Sequence, residues 1–156
     1  MTDTTTAGET LTREWVEDFA ERYFAAWNSL DADGLLELMT EDVVYDDSGH
    51  FGTMRGHAEV RDFVESFFRG WPDLKFEPQK PLIAVEGPKA SFWWRCVATN
   101  TGPIYGLPAT NKGIDAVGAD LHEYRDGKIA RLTVVYDMVD VLQQIGLMPE
   151  MSSASG

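Results

Sequence analysis

The sequence predicts an α+β domain in which one curved antiparallel sheet wraps around N-terminal helices and forms a cone-shaped pocket. Three observations predict it. Helical spacing dominates the first half of the chain, period-two alternation takes over near residue 74, and Gly-Pro, Thr-Gly-Pro and Asp-Gly turns punctuate the second half. A chain of 156 residues with 44% hydrophobic side chains, five Trp and eight Phe among them, can fill one core and still line a cavity.

Each element has a local reason. Trp15, Phe19, Tyr23 and Trp27 recur every four residues with Val16, Ala20 and Phe24 beside them, which predicts an amphipathic helix over about 12–28. Asp31 can cap a short second helix carrying Leu35, Leu36, Leu38 and Met39. A short strand is expected over 43–46 and a loop over 52–56. A third helix then runs through Val60, Phe63, Val64, Phe67 and Phe68, and Gly70-Trp71-Pro72-Asp73 ends it. Strands follow at 74–77, 82–86, 90–100, 113–124 and 129–137. A last amphipathic turn or two over 138–145 stops at Gly146, with Asp137 as its cap. Residues 1–10 and 149–156 are expected as tails around a single domain over 11–148.

Composition narrows the partners. Thirteen Lys and Arg against 26 Asp and Glu give a formal charge of -13, which argues against nucleic acid and against anionic membrane surfaces. A small, neutral hydrophobic molecule suits such a chain better. No basic, apolar leader is visible and no run approaches the ~18 apolar residues of a span. Cys96 is the only cysteine, so no internal disulfide can form, and its strand setting suggests a packed thiol. A cytoplasmic location is expected. His50, His57 and His122 are scattered without a metal-binding spacing, and no phosphate loop or Ser-His-Asp set is present, so neither metal nor cofactor is expected.

Asp120 stands out as a carboxylate inside a strand of otherwise apolar alternation. A three-residue hairpin loop with Gly127 left-handed sets Asp120 opposite Leu132, on one face with Ala116, Gly118, Val134 and Tyr136. A two-residue Asp126-Gly127 turn instead groups it with Thr133 and Val135, on a face that is solvated. In the first register, burial favours the protonated acid.

Longer motifs then converge. The chain carries Tyr-Phe-Ala-Ala-Trp-Asn, Leu-Leu-Glu-Leu-Met-Thr-Glu-Asp-Val-Val-Tyr-Asp-Asp, Met-Arg-Gly-His-Ala-Glu-Val, Trp-Pro-Asp-Leu, Gly-Leu-Pro-Ala-Thr-Asn-Lys-Gly, and Arg-Asp-Gly-Lys-Ile before Leu-Gln-Gln-Ile-Gly. With these it resembles the nuclear transport factor 2-like superfamily over about residues 12–147, and most of all its SnoaL-like branch, which includes aromatic polyketide cyclases. Cyclases and limonene-type epoxide hydrolases of that kind carry an Asp three residues before the position of Asp137, where this chain has Val134. The cyclases tend to have His where this chain has Asp120. Laid on the ketosteroid isomerase pattern, Tyr23 falls on the oxyanion-donor tyrosine and Asp47, nine residues before Gly56, on the general base. Asp120 then falls on the oxyanion-hole acid, the group known for staying neutral in an apolar site, and Tyr136 on an aromatic.

The resemblance implies a cofactor-independent acid–base enzyme acting on a hydrophobic carbonyl compound, steroid-like or polyketide-like. In that scheme Asp47 takes a proton beside the carbonyl while Tyr23 and a protonated Asp120 donate to the developing oxyanion. Trp27, Trp94, His122, Val134 and Tyr136 are expected around the substrate, with His122 at the rim. Either Asp46 or Asp47 can be the inward member of its pair. The alternatives are a cyclase or epoxide-opening hydrolase using Arg95 with Asp120, and a pocket protein that binds without catalysis. Arg95 can equally point outward to an acidic neighbour. A homodimer is implied by the resemblance, and Val117, Ala119, Leu121, Thr133 and Val135 on the outer sheet face are apolar enough to form it.

Overall fold

The computed structural model describes residues 10–49 and 52–149, without the side chains of 80–83. Most of both expected tails, and His50, lie outside the described residues. Helix α1 spans Arg13–Asn28, with Thr12 Oγ1 accepting from Trp15 N at 3.1 Å at its start. Its stripe of Val16, Phe19, Ala20, Tyr23, Phe24 and Trp27 is buried. Asn28 ties its end to the sheet, donating from Nδ2 to Phe76 O and accepting from Phe76 N. Helix α2, Ala32–Glu37, is capped by Asp31 as expected, but it is shorter. Leu38 ends the helix and Met39 already opens strand β1, Met39–Asp47. The expected 52–56 loop contains a two-residue strand β2, Met54–Arg55, before helix α3, Gly56–Gly70.

Strands β3 (Lys75–Glu86), β4 (Lys89–Thr99), β5 (Gly113–Arg125) and β6 (Lys128–Tyr136) complete one sheet in the order β2-β1-β6-β5-β4-β3. Two strands expected before residue 87 are therefore one, β3, with an irregularity between Gln79 and Ala84. The sheet is antiparallel except at β1 and β6, which run parallel with Asp47 beside Val134. Helix α4, Met138–Gln144, closes the described chain, with Asp137 accepting from Asp140 N at 3.0 Å as its cap.

The β5–β6 hairpin decides the site. Its loop is the two residues Asp126 and Gly127, both left-handed at φ 55° and 76°, between the paired Arg125 and Lys128. That much matches the solvated register. One step later the ladder slips from Tyr124↔Ile129 to Glu123↔Arg131, so Ala130 is a bulge residue. The bulge restores the parity that the short turn had reversed. Asp120 pairs with Val134, not with Leu132 or Thr133, and faces the interior with Ala116 and Gly118. Alternate β5 residues Val117 and Leu121 point outward and are half-exposed.

Candidate active site

The inward residues of β4 and β5 set the deepest part of the site. Trp94 pairs with Gly118 across the ladder, and a Cβ on Gly118 would lie 2.4 Å from the Trp94 ring. The glycine lets the indole lie flat over the strand, where Trp94 Nε1 donates to Asp120 Oδ1 at 2.6 Å. His122, two residues along the same face, has Nε2 3.1 Å from Asp120 Oδ2 and Nδ1 2.9 Å from the Tyr124 hydroxyl. Asp120, His122 and Tyr124 form a buried Asp-x-His-x-Tyr chain enclosed by Phe19, Tyr23 and Phe92.

This chain fixes what Asp120 can do. An indole N–H only donates, so Oδ1 is an acceptor. If Tyr124 O–H donates to Nδ1, then Nε2–H donates to Oδ2 and Asp120 is a carboxylate. If the acid is protonated on Oδ2, its proton points at His122. In neither arrangement does a proton on those bonds face the cavity; the cavity-facing proton that the expected donor role of Asp120 requires would sit on a lone pair outside them. Tyr23 is buried beside the carboxylate. Its phenol is held well above the ordinary tyrosine value, first by burial and then by the charge of Asp120.

Asp47 supplies the second acid. The β1 alternation points it inward with Val43 and Tyr45, whereas Asp46 turns outward to Arg131 NH2 at 2.6 Å and Thr53 Oγ1 at 2.8 Å. Burial pushes the Asp47 carboxyl up to about 6, opposed by the Gly49 N–H and the Tyr136 phenol and assisted by the charge of Asp120. The two carboxylates thus act on each other across one cavity.

That cavity measures about 610 Å³ counting the solvent at its mouth. Tyr23, Trp27, Asp47, Trp94, Asp120, Val134 and Tyr136 all line it. So do Tyr45, Phe67, Trp71 and Phe76, which the sequence places in strands, a helix and a turn without marking them as site residues. No Lys, Arg or His is among the described residues that line it. His122 is not at the rim: it is fully buried behind Asp120, packed against Phe19 and Tyr23 of α1. Arg95 is not in the cavity either. It makes a two-pronged pair with Asp115 on the outer face, at 2.8 and 2.6 Å, so the Arg95–Asp120 couple of the epoxide-opening alternative does not exist. Cys96 is a packed thiol on the cavity wall, pushed up to about 12 by burial. Among the described residues no three of His, Cys, Asp and Glu cluster so as to hold a metal. No helix among them is long and apolar enough to cross a membrane.

A model of the SnoaL-like domain matches residues 20–132. The chain belongs to the SnoaL-like domain family. Solved structures repeat its nuclear transport factor 2-like architecture over most of their length. AclR of Streptomyces galilaeus, a candidate hydroxylase, is 21% identical with TM-score 0.77, covering 90% of this SnoaL-like chain and 87% of its own. A candidate polyketide cyclase from Silicibacter sp. TM1040 is 25% identical with TM-score 0.72, covering 86% and 97%. A Catenulispora acidiphila protein with a ketosteroid isomerase-like fold, in complex with trimethylamine, is 19% identical with TM-score 0.70, covering 87% and 98%. No curated protein matches this SnoaL-like chain by sequence.

Proposed function

We propose that this SnoaL-like protein is a cofactor-independent enzyme that removes a proton next to the carbonyl of a flat, hydrophobic compound. The observation that carries the reading is Asp120, a buried carboxylate held as an acceptor by Trp94 on the wall of an aromatic cavity. Asp120 is the base. His122 and Tyr124 are positioning residues that fix the tautomer behind it. Asp47, poised near 6, is protonated often enough near neutrality to return a proton to the enolate oxygen or to carbon. Tyr23 can turn its hydroxyl from Asp120 to the same oxygen.

Enolate formation is the first step of two reactions. Reprotonation at another carbon gives isomerisation, while attack of the enolate on a second carbonyl of the same molecule forms a carbon–carbon bond and a ring. The 25% identity to a candidate polyketide cyclase favours ring closure as the second reading. We place the protein in the cytoplasm as a homodimer; the half-exposed Trp93, Val97, Val117, Leu121 and Val135 on the outer sheet face support the dimer.

Deuterium uptake tests the reading. In heavy water the wild type should label the carbon next to the carbonyl of a bound planar ketone such as 1-tetralone, and Asp120→Asn should not. Binding without any label would leave a ligand-holding pocket and no enzyme.

A further inference from the structure

We infer that the Trp71 indole N–H is a ligand-binding donor that receives a neutral oxygen, carbonyl or hydroxyl, of the molecule held in the cavity. Among the described residues only two buried side-chain polar atoms lack a hydrogen-bond partner, Thr40 Oγ1 and Trp71 Nε1. Thr40 is not among the residues lining the cavity, whereas the Trp71 ring is. Trp71 is 1% exposed, and a buried N–H normally finds an acceptor.

The backbone that carries the ring is anchored. Its backbone N–H donates to Phe67 O at 2.9 Å as the last turn of α3 closes. The preceding residue is pinned by Asn100, a fully buried side chain whose Nδ2 donates to Gly70 O at 3.2 Å and to Gly102 O at 2.9 Å. Asn100 Oδ1 in turn accepts from Thr110 N and Thr110 Oγ1, and this anchors the Gly102–Thr110 loop against the helix end. Phe67 packs its ring 6.2 Å from the Trp71 ring. The indole therefore stands on an anchored backbone, packed on Phe67, with one unused donor.

Its place gives the ligand a polarity. Ring contacts step from Trp71 to Phe67, Trp27 and Tyr23, and Asp120 lies beyond Tyr23. A ligand spanning the cavity meets carboxylate acceptors on the sheet side and the unpartnered indole donor at the α3 end. With no cation among the described wall residues, a carboxylate or phosphate there would be held unpaired among Asp47 and Asp120, so the acceptor is an uncharged oxygen. The inference rests on the cavity as the ligand site and needs no proton transfer in it.

Fluorenone and fluorene differ by that one oxygen, and nuclear magnetic resonance of the whole 15N-labelled chain reads the indole directly. Fluorenone should move the Trp71 indole N–H signal downfield and fluorene should not. Trp71→Phe, which keeps an aromatic wall, should lower fluorenone affinity about fivefold and leave fluorene affinity within about twofold. Should the variant fail to fold, the wild-type spectra decide alone, with the signal assigned by triple-resonance methods. Equal responses to the two ligands, or no response to either, overturns the inference. Because binding is read and not turnover, a protein that binds fluorenone through Trp71 yet exchanges no proton of bound 1-tetralone would refute the proposed enzyme and leave this subsite standing.

Discussion

Trp94 reaches Asp120 diagonally across the β4–β5 ladder, 2.6 Å from indole nitrogen to carboxylate oxygen, because the residue directly opposite Trp94 is Gly118. A carboxylate in an aromatic wall is costly unless it is hydrogen-bonded, and this glycine makes the bond reachable.

Gly118→Ala should therefore break the arrangement from one methyl group. The new carbon would fall 2.4 Å from the Trp94 ring and 2.8 Å from Val135 O. Overpacking of this sort costs about 1–3 kcal/mol. Urea unfolding should show that loss, and proton exchange into a bound ketone should fall with it. Unchanged stability together with unchanged exchange would mean that Trp94 is free to move.

Asp47 predicts a pH signature. Its carboxyl is raised from 3.8 to about 6 in the fold, so the folded state holds its proton more tightly than the unfolded chain. The contribution is fully stabilising below about pH 4 and is lost as pH rises from about 4 to 6. Asp47→Asn should remove that loss and be more stable than wild type at pH 7–8, by up to about 3 kcal/mol, with no advantage near pH 3. Thermal unfolding across that range checks the sign. A variant less stable than wild type at pH 8 would show that the Gly49 and Tyr136 bonds outweigh burial.

Tyr124→Phe removes one hydroxyl and leaves the ring stack with Phe19 and Trp15. His122 then loses the partner that fixes its Nδ1. Nitrogen chemical shifts of the His122 ring should report a mixed tautomer in the variant and a single one in wild type. Turnover should fall roughly threefold to tenfold with KM nearly constant, the size of one ordinary hydrogen bond acting through Asp120. An unchanged tautomer with lowered kcat would place the effect elsewhere.

The outer face predicts association. Light scattering at micromolar concentration should give twice the 17.4 kDa chain mass. Val135→Lys, placed in the row Trp93–Ala119–Val135, should return the monomer while Asp120 keeps its hydrogen bonds. A wild-type mass of one chain would remove the dimer.

Alternation along β5 was enough to single out Asp120, while the two possible turns left open which side of the sheet it faces. Its partner was not legible, because Ala130 slips the ladder by one residue and nothing in Lys-Ile-Ala-Arg-Leu announces a bulge. The three-residue loop and the real short turn plus bulge differ by two positions, which is why that register has the right face and the wrong opposite residue. Pro78 made β3 read as two strands, yet β3 is the sheet's edge, where a missing N–H costs little. Leu38 and Met39 continue the apolar spacing of α2, but tertiary pairing with Ile129 draws Met39 into β1. The inward set of acids and aromatics was visible as residue types. The roles of His122, Tyr124 and Trp71 depend on distances between elements, and local spacing does not carry those.

The parallel seam between β1 and β6 has a consequence for synthesis on the ribosome. Asp47 is seated beside Val134, so the early acid is positioned only after nearly the whole described chain has been made. Until β6 emerges, β1 has no parallel neighbour, and the N-terminal helices wait with their aromatic faces uncovered. Nascent chains stalled before residue 128 should leave the β1 amides open to hydrogen exchange, and release of β6 should protect both strands together. The aromatic cavity would then be among the last features to exist, and a chaperone that shields aromatic helices during that interval would matter more to its yield than to its final stability.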